Sequence, residues 1–146
     1  MKKQFKIAPL KVYKEFGRYF PFSTVDVIIR NSDGSFILTK RIIPPYVNKW
    51  HLPGGLIRKG EKLSDAAKRA VKKELNLEIK IEKFLGTYEN PISTRHDISH
   101  VFIASVVKGE IRNDFQSKGI KFFKKPPKNT ILYHIRILQD AKPFLK

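Results

Sequence analysis

Glu74 stands near the end of a helical stretch rich in lysine, RAVKKELNL at residues 69–77. At ~100° per residue, Leu63, Ala66, Ala67, Ala70, Val71 and Leu75 share one apolar stripe, and Glu74 falls near its middle. Asp65, Lys68, Arg69 and Lys72 lie on the opposite side. A carboxylate buried alone costs several kcal/mol and would protonate instead. Glu74 therefore needs a cation, either a basic side chain or a metal ion. The residues before the helix, LPGGLIRKGE at 52–61, supply a Pro-Gly-Gly turn whose glycines tolerate positive φ and close backbone approach, so the turn can aim a carbonyl at a cation. Together with Glu61 and Arg69 this makes a loop–helix unit lined with oxygen. Hard oxygen donors suit Mg²⁺, which also takes phosphate oxygens from a substrate.

Such a unit must be held by a fold. PLKVYKEF (9–16) reads as a short helix. TVDVIIR (24–30) and FILTKR (36–41) are β-rich, and the NSDGS between them has turn chemistry, so the pair reads as a hairpin. IIPPYVNKWHLPGG (42–55) is broken by proline and irregular. Ser64 is a candidate N-cap for a helix from about Asp65 to Leu75, and Asn76 a left-handed stop. LEIKIEKFLGTYE (77–89) reads as a strand, NPISTRHD (90–97) as a polar loop, ISHVFIASVVK (98–108) as a strong strand and GIKFF (119–123) as a short one. NTILYHIRILQDA (129–141) is an amphipathic helix beginning at Asn129. Helices and strands in this order imply a layered α/β arrangement in one domain, residues 1–146.

Composition sets outer bounds. A chain of 146 residues with 41% hydrophobic content is long enough for one well-buried domain. The absence of cysteine excludes a disulfide framework, thiolate zinc sites and a cysteine nucleophile. No window approaches the ~20 apolar residues of a membrane span, and the N-terminus has no signal-peptide core, so the expectation is a soluble cytoplasmic chain. Lys plus Arg number 30 against 13 Asp plus Glu, a net charge of +17. That field favours anionic partners such as nucleotides or polyphosphates. The lysines are scattered and no aromatic ladder runs among them, so binding to nucleic acid is expected to be weak and salt-dependent.

The spacing from Gly55 to Leu77 resembles the Nudix box, in which a glycine is followed after five residues by Glu, after seven more by Arg-Glu-aliphatic-any-Glu-Glu, and then by any-Gly-aliphatic. Gly55, Glu61, Arg69, Val71, Glu74 and Leu77 fit; Ala70, Lys73 and Asn76 depart. Trp50 and LPGG match what precedes the box, and the likeness covers roughly residues 24–141. The resemblance implies the Nudix fold, a mixed β-sheet sandwiched between α-helices, and a hydrolase of nucleoside diphosphate derivatives that uses Mg²⁺ or Mn²⁺. It implies the Gly54 carbonyl and Glu74 as metal ligands, and Gly55, Glu61 and Arg69 as the structural part of the box. With Ala70 and Lys73 in place of two carboxylates, one divalent ion or none is expected.

A narrower likeness is to the GDP-mannose mannosyl hydrolases, which also lack those two glutamates and displace the nucleoside diphosphate from the anomeric carbon. TVDVIIRNSDGSFILTKR (24–41), DISHVFIASV (97–106) and QSKGIKFF (116–123) carry it. It implies Asp26, Lys40 and Arg41 at the substrate, Arg41, Arg69 and His100 in catalysis, and Gln116 as a further metal ligand. The residue after the glutamine, a histidine base in that branch, is Ser117, and Leu56 stands where the branch has an arginine on the diphosphate. His96, Asp97, His100 and Asp114 are then the candidate bases. The favoured substrate is a nucleotide sugar such as GDP-mannose. Alternatives are pyrophosphate cleavage at phosphorus, as with ADP-ribose or a nucleoside triphosphate, and a binding module without turnover. No membrane partner is expected, and a homodimer is compatible with the sequence.

Overall fold

The computed structural model describes residues 5–44, 46–92, 95–110 and 117–146. Helix α1 (Leu10–Tyr19) is followed by strands β1 (Phe22–Ile29), β2 (Phe36–Arg41), β3 (Trp50–His51) and β4 (Gly54–Leu56). Helix α2 (Leu63–Leu75) then leads to β5 (Leu77–Ile92), β6 (Arg95–Gly109), β7 (Ser117–Phe123), α3 (Leu132–Ala141) and a closing 3₁₀ turn. Two sheets form, β4-β1-β6-β5 and β3-β2-β7. β1 and β6 run parallel, and the other pairings are antiparallel. No helix among the described residues is long and apolar enough to cross a membrane.

The β-branched run of β1 is buried on both faces, because each face meets a helix layer. Val25, Val27 and Ile29 pack with Ala66, Ala67, Ala70, Val71 and Leu75 of α2 and with Phe102 and Ala104 of β6. Ile28 turns the other way, into a second core with Val101, Ile103, Trp50, Leu52 and the α3 residues Ile137, Leu138 and Ala141. The expected α/β layering is thus observed, with helices on opposite sides of the sheets.

Several local expectations are corrected. The turn at 31–35 forms, with the Asn31 N–H bonded to the Ser35 carbonyl. Its flanking strands join different sheets beyond a single Arg30–Phe36 bridge, so they are not a hairpin. α2 starts at Leu63 with Lys62 at its N-cap and no side-chain cap; Ser64 lies inside the first turn. Leu63, assigned to the apolar stripe, is exposed, at the N-terminal end of α2. Asn76 does end the helix in the left-handed region, at φ 58°. Residues 90–92 and 95–97 continue β5 and β6 instead of forming a polar loop, since the long antiparallel pair carries its ladder from Leu77–Gly109 to Ile92–Arg95. α1 runs on to Tyr19. α3 begins at Leu132, because Thr130 is held in a bridge to Trp50.

Candidate active site

The loop between β4 and α2 closes on itself through Glu61 and Arg69. Arg69 Nε donates to Glu61 Oε2 at 2.7 Å and Nη2 to Oε1 at 3.0 Å, a two-point pairing of fork and carboxylate. Nη2 also donates to the Leu56 carbonyl at 2.7 Å, and the Arg58 N–H caps Glu61 Oε1 at 3.1 Å. The Glu61 side chain is only 3% exposed, and its hydrogen bonds from Arg69 hold its pKa below the ordinary carboxylate value. Arg69 therefore ties α2 to the loop and to the end of β4.

β4 is the reason for the glycines. Gly54 pairs with Asp26 across the ladder, and a Cβ there would lie 2.1 Å from the Val25 carbonyl oxygen and 2.5 Å from Asp26 Oδ1. Close approach, and not the expected positive φ, is what excludes a side chain at Gly54; Gly60 is the glycine of this loop with positive φ, at 87°. Alternation along β4 sends the peptide groups of Gly54 and Leu56 to the edge away from β1. On that edge the Gly54 N–H donates to Glu74 Oε2 at 3.3 Å, and the Leu56 carbonyl meets Arg69. The Gly54 carbonyl lies on the same edge, beside Glu74.

Glu74 also reaches β2. The Thr39 hydroxyl lies 2.9 Å from Glu74 Oε1 and 2.8 Å from His51 Nε2. His51 Nδ1 donates to the Leu52 carbonyl at 2.8 Å. Burial, then the neighbouring His134, push the His51 pKa down to about 4, so the ring is neutral near pH 7. The Thr39 hydroxyl has one proton and two acceptors, which couples Glu74 to His51 through a single hydrogen. Neither Thr39 nor His51 was singled out from the sequence; both are buried by contacts remote in the chain.

A cavity of about 750 Å³ opens over Glu74 and is lined also by Asp26, Arg41, Tyr46, Arg95, Asp97, Tyr133 and His134, with Tyr13 of α1 at its rim. Asp26 is buried; Ser99 Oγ donates to its Oδ2. The Leu52 N–H donates to His134 Nδ1 at 2.9 Å, so the proton of the neutral ring sits on Nε2, 3.6 Å from Asp26 Oδ2. Burial, then the charges of Asp26 and Asp97, raise the Tyr133 phenol far above its ordinary range, so it stays a hydrogen-bond donor. Arg95 donates from Nε to Asp97 at 2.6 Å and from Nη1 to the Tyr13 hydroxyl. Arg41 donates to the carbonyls of Ile43 at 3.3 Å and Pro44 at 3.2 Å.

The structure thus brings Gly54, Gly55, Glu74, Asp26, Arg41 and Arg69 to one cavity. It does not bring Lys40 or His100 there. Lys40 points to the opposite face of β2 from Thr39, with Nζ 5.6 Å from the centre of the Trp50 ring. His100 has Ser23 Oγ 3.2 Å from Nε2 and Thr87 Oγ1 3.1 Å from Nδ1, and burial lowers its pKa. Those two hydroxyls give the ring a structural setting away from Glu74. Of the other candidate bases, Asp97 lines the cavity but is engaged by Arg95, and His96 lies outside the lining. Asp114 and Gln116 lie outside the described residues.

The donor set suits a hard divalent cation. It offers the Glu74 carboxylate and the Gly54 carbonyl, both oxygens. Among the described residues no three or more His, Asp or Glu gather into a cage. That sparse set fits Mg²⁺, which keeps several waters and takes substrate phosphate oxygens.

Comparison with known proteins gives a consistent picture. A family model described as NUDIX domain matches residues 21–134. An ADP-ribose pyrophosphatase from Methanocaldococcus jannaschii is 36% identical over 124 residues, covering 84% of this chain and 72% of that protein. A low-salt glycan biosynthesis protein, Agl8, from Haloferax volcanii is 31% identical over 114 residues, 73% of this chain and 72% of that protein. Among solved structures, a MutT NUDIX hydrolase from Burkholderia pseudomallei superposes with a TM-score of 0.75 at 23% identity, covering 84% of this chain and 98% of the other.

Proposed function

The chain belongs to the NUDIX hydrolase family, whose members act on nucleotide-type small molecules and generally use a divalent metal, and from that premise we propose that it hydrolyses a nucleoside diphosphate joined to a sugar. The observation that carries this reading is the single helix carboxylate: of the α2 residues that line the cavity, Arg69, Ala70, Lys73 and Glu74, only Glu74 is a carboxylate. One carboxylate, a backbone carbonyl and phosphate oxygens make a one-metal site for Mg²⁺ or Mn²⁺. GDP-mannose is the favoured substrate, because the sequence likeness to the mannosyl hydrolases extends through β1, β2 and β6.

In this reading residues 1–146 act as one domain. Glu74 and Gly54 hold the cation, with Gln116 as a further ligand. The cation, when bound, would neutralise charge on the diphosphate as it leaves. Arg41, on the cavity wall, binds the diphosphate, and Arg69 holds the loop that presents Gly54 and Gly55. Water attacks the anomeric carbon from the face away from the leaving group. Asp26, which lines the cavity as His100 does not, takes the role of base: Ser99 donates to its Oδ2, which leaves Oδ1, beside Gly54, to orient the water and receive its proton.

A second reading, pyrophosphate cleavage at phosphorus, is favoured by the relative named ADP-ribose pyrophosphatase. Hydrolysis of GDP-mannose and ADP-ribose in ¹⁸O-water separates the two. Label in the free sugar, with the nucleoside diphosphate released whole, supports attack at carbon. Label in a monophosphate product overturns it and leaves the second reading standing.

A further inference from the structure

Two guanidinium groups face the same cavity from different strands, Arg41 at the end of β2 and Arg95 at the start of β6. We infer that Arg95 is a second diphosphate-binding residue, paired with Arg41 across the cavity. This rests on the reading of the substrate as a diphosphate derivative.

Arg95 is built into place. Its Nε donates to Asp97, a buried carboxylate, at 2.6 Å, and its Nη1 donates to the Tyr13 hydroxyl. The Phe22 ring lies under the guanidinium, 4.8 Å from Cζ, and Tyr13 stacks on that ring at 4.7 Å. One edge and one face of the group are thus spoken for. Nη2 has no partner among the described residues, and the side chain retains 21% exposure. A guanidinium oriented in advance loses little freedom when it binds an anion, and its planar fork matches two phosphate oxygens.

The electrostatics agree. Burial, then the charge of Arg95, lower the pKa of Arg41, so the two cations share a poorly hydrated space. Asp97 offsets Arg95 and Glu74 partly offsets Arg41, yet the net effect on Arg41 is still a lowering, and an anion entering between the arginines relieves it. Tyr13 gives this wall a second consequence. α1 buries none of its own residues, yet through Tyr13 it fixes Arg95, so the N-terminal helix contributes to the diphosphate subsite without touching the metal side.

The probe is inorganic pyrophosphate, titrated by calorimetry without added metal so that no bound cation contributes to the signal. Arg95→Gln keeps a donor for Asp97 while removing the charge; Arg95→Lys keeps the charge and loses the fork. Arg95→Gln should weaken pyrophosphate binding by about tenfold or more, with a flatter dependence on salt, and Arg41→Gln should do the same. Arg95→Lys should fall between the parent and Arg95→Gln, and thermal midpoints show that each variant is folded. Equal pyrophosphate affinity in the parent and in folded Arg95→Gln overturns the inference, as does a parent that binds no pyrophosphate. Turnover of GDP-mannose and ADP-ribose is scored separately. Arg95-dependent pyrophosphate binding without sugar-nucleotide turnover removes the substrate assignment and keeps the subsite. Turnover with Arg95-independent binding does the reverse.

Discussion

The two walls of the cavity are built in opposite ways. The wall formed by β4 and α2 draws Gly54, Leu56, Glu61, Arg69 and Glu74 from about twenty consecutive residues, and the hydrogen bonds within that stretch span sequence separations of 3 to 20. The facing wall joins α1, β1, β6 and α3: Tyr13 to Arg95 and Leu52 to His134 each bridge 82 positions, and Asp26 to Ser99 bridges 73. A local wall can be held by one helix and one loop. The facing wall exists only when the β4-β1-β6-β5 sheet and the helices α1 and α3 have come together. In the proposed function the first wall supplies the metal ligands Gly54 and Glu74, and the second supplies Asp26 and Arg95 to the substrate side.

The largest expected effect tests the local wall as the seat of chemistry. Glu74→Gln preserves volume and an acceptor for Thr39 but removes the charge. Metal-dependent turnover should fall by about 10²–10³-fold while the thermal midpoint moves little. Steady-state kinetics at saturating Mg²⁺, alongside a thermal melt, provides the check; parental turnover would make Glu74 structural.

Next comes the joint within that wall. Arg69→Ala strands the Glu61 carboxylate, which is 3% exposed, and should lower stability by about 3 kcal/mol, with activity lost as the loop loosens. A denaturation midpoint equal to the parent's would mean that the loop is held by something else.

The same pair sets an acid limit. Glu61 has a folded pKa below its ordinary 4.5, so the unfolded chain takes up its proton first as pH falls. The stabilisation is present above pH 4.5 or so and is lost as pH drops through the folded value. The stability gap between the parent and Arg69→Ala should therefore narrow steadily below that point. Urea titrations across the acid range measure it; a constant gap would contradict the linkage.

The smallest effect probes a residue outside both walls. His100→Asn should leave kcat/KM within about twofold of the parent, since the ring is held by Ser23 and Thr87 away from Glu74. A loss of a hundredfold would put His100 back into the chemistry and would break the division between walls.

The local wall was legible because its physics is local. The apolar stripe with a carboxylate in its middle follows from helical periodicity over a few turns, while the Glu61–Arg69 pairing was what the resemblance to the Nudix box implied. Asn76 as a left-handed stop was readable for the same reason. The single turn at 31–35 was also readable, but the fate of its strands was not. Turn chemistry fixes a reversal, whereas the sheet each strand joins depends on which face it must bury.

What the chain determined by itself was therefore the loop–helix unit, the anionic character of its ligand and the layered α/β class. Tertiary structure decided which residues stand opposite Glu74. It turned Lys40 onto Trp50, moved His100 out of reach, and raised Tyr13, Arg95, His51 and His134 into the site. Side chains alternate along a strand, so a neighbour in sequence points to the other face. Register between β1 and β6, whose paired residues lie 75 positions apart, is set by burial of both faces of the two strands, a property of the assembled core and not of any short segment.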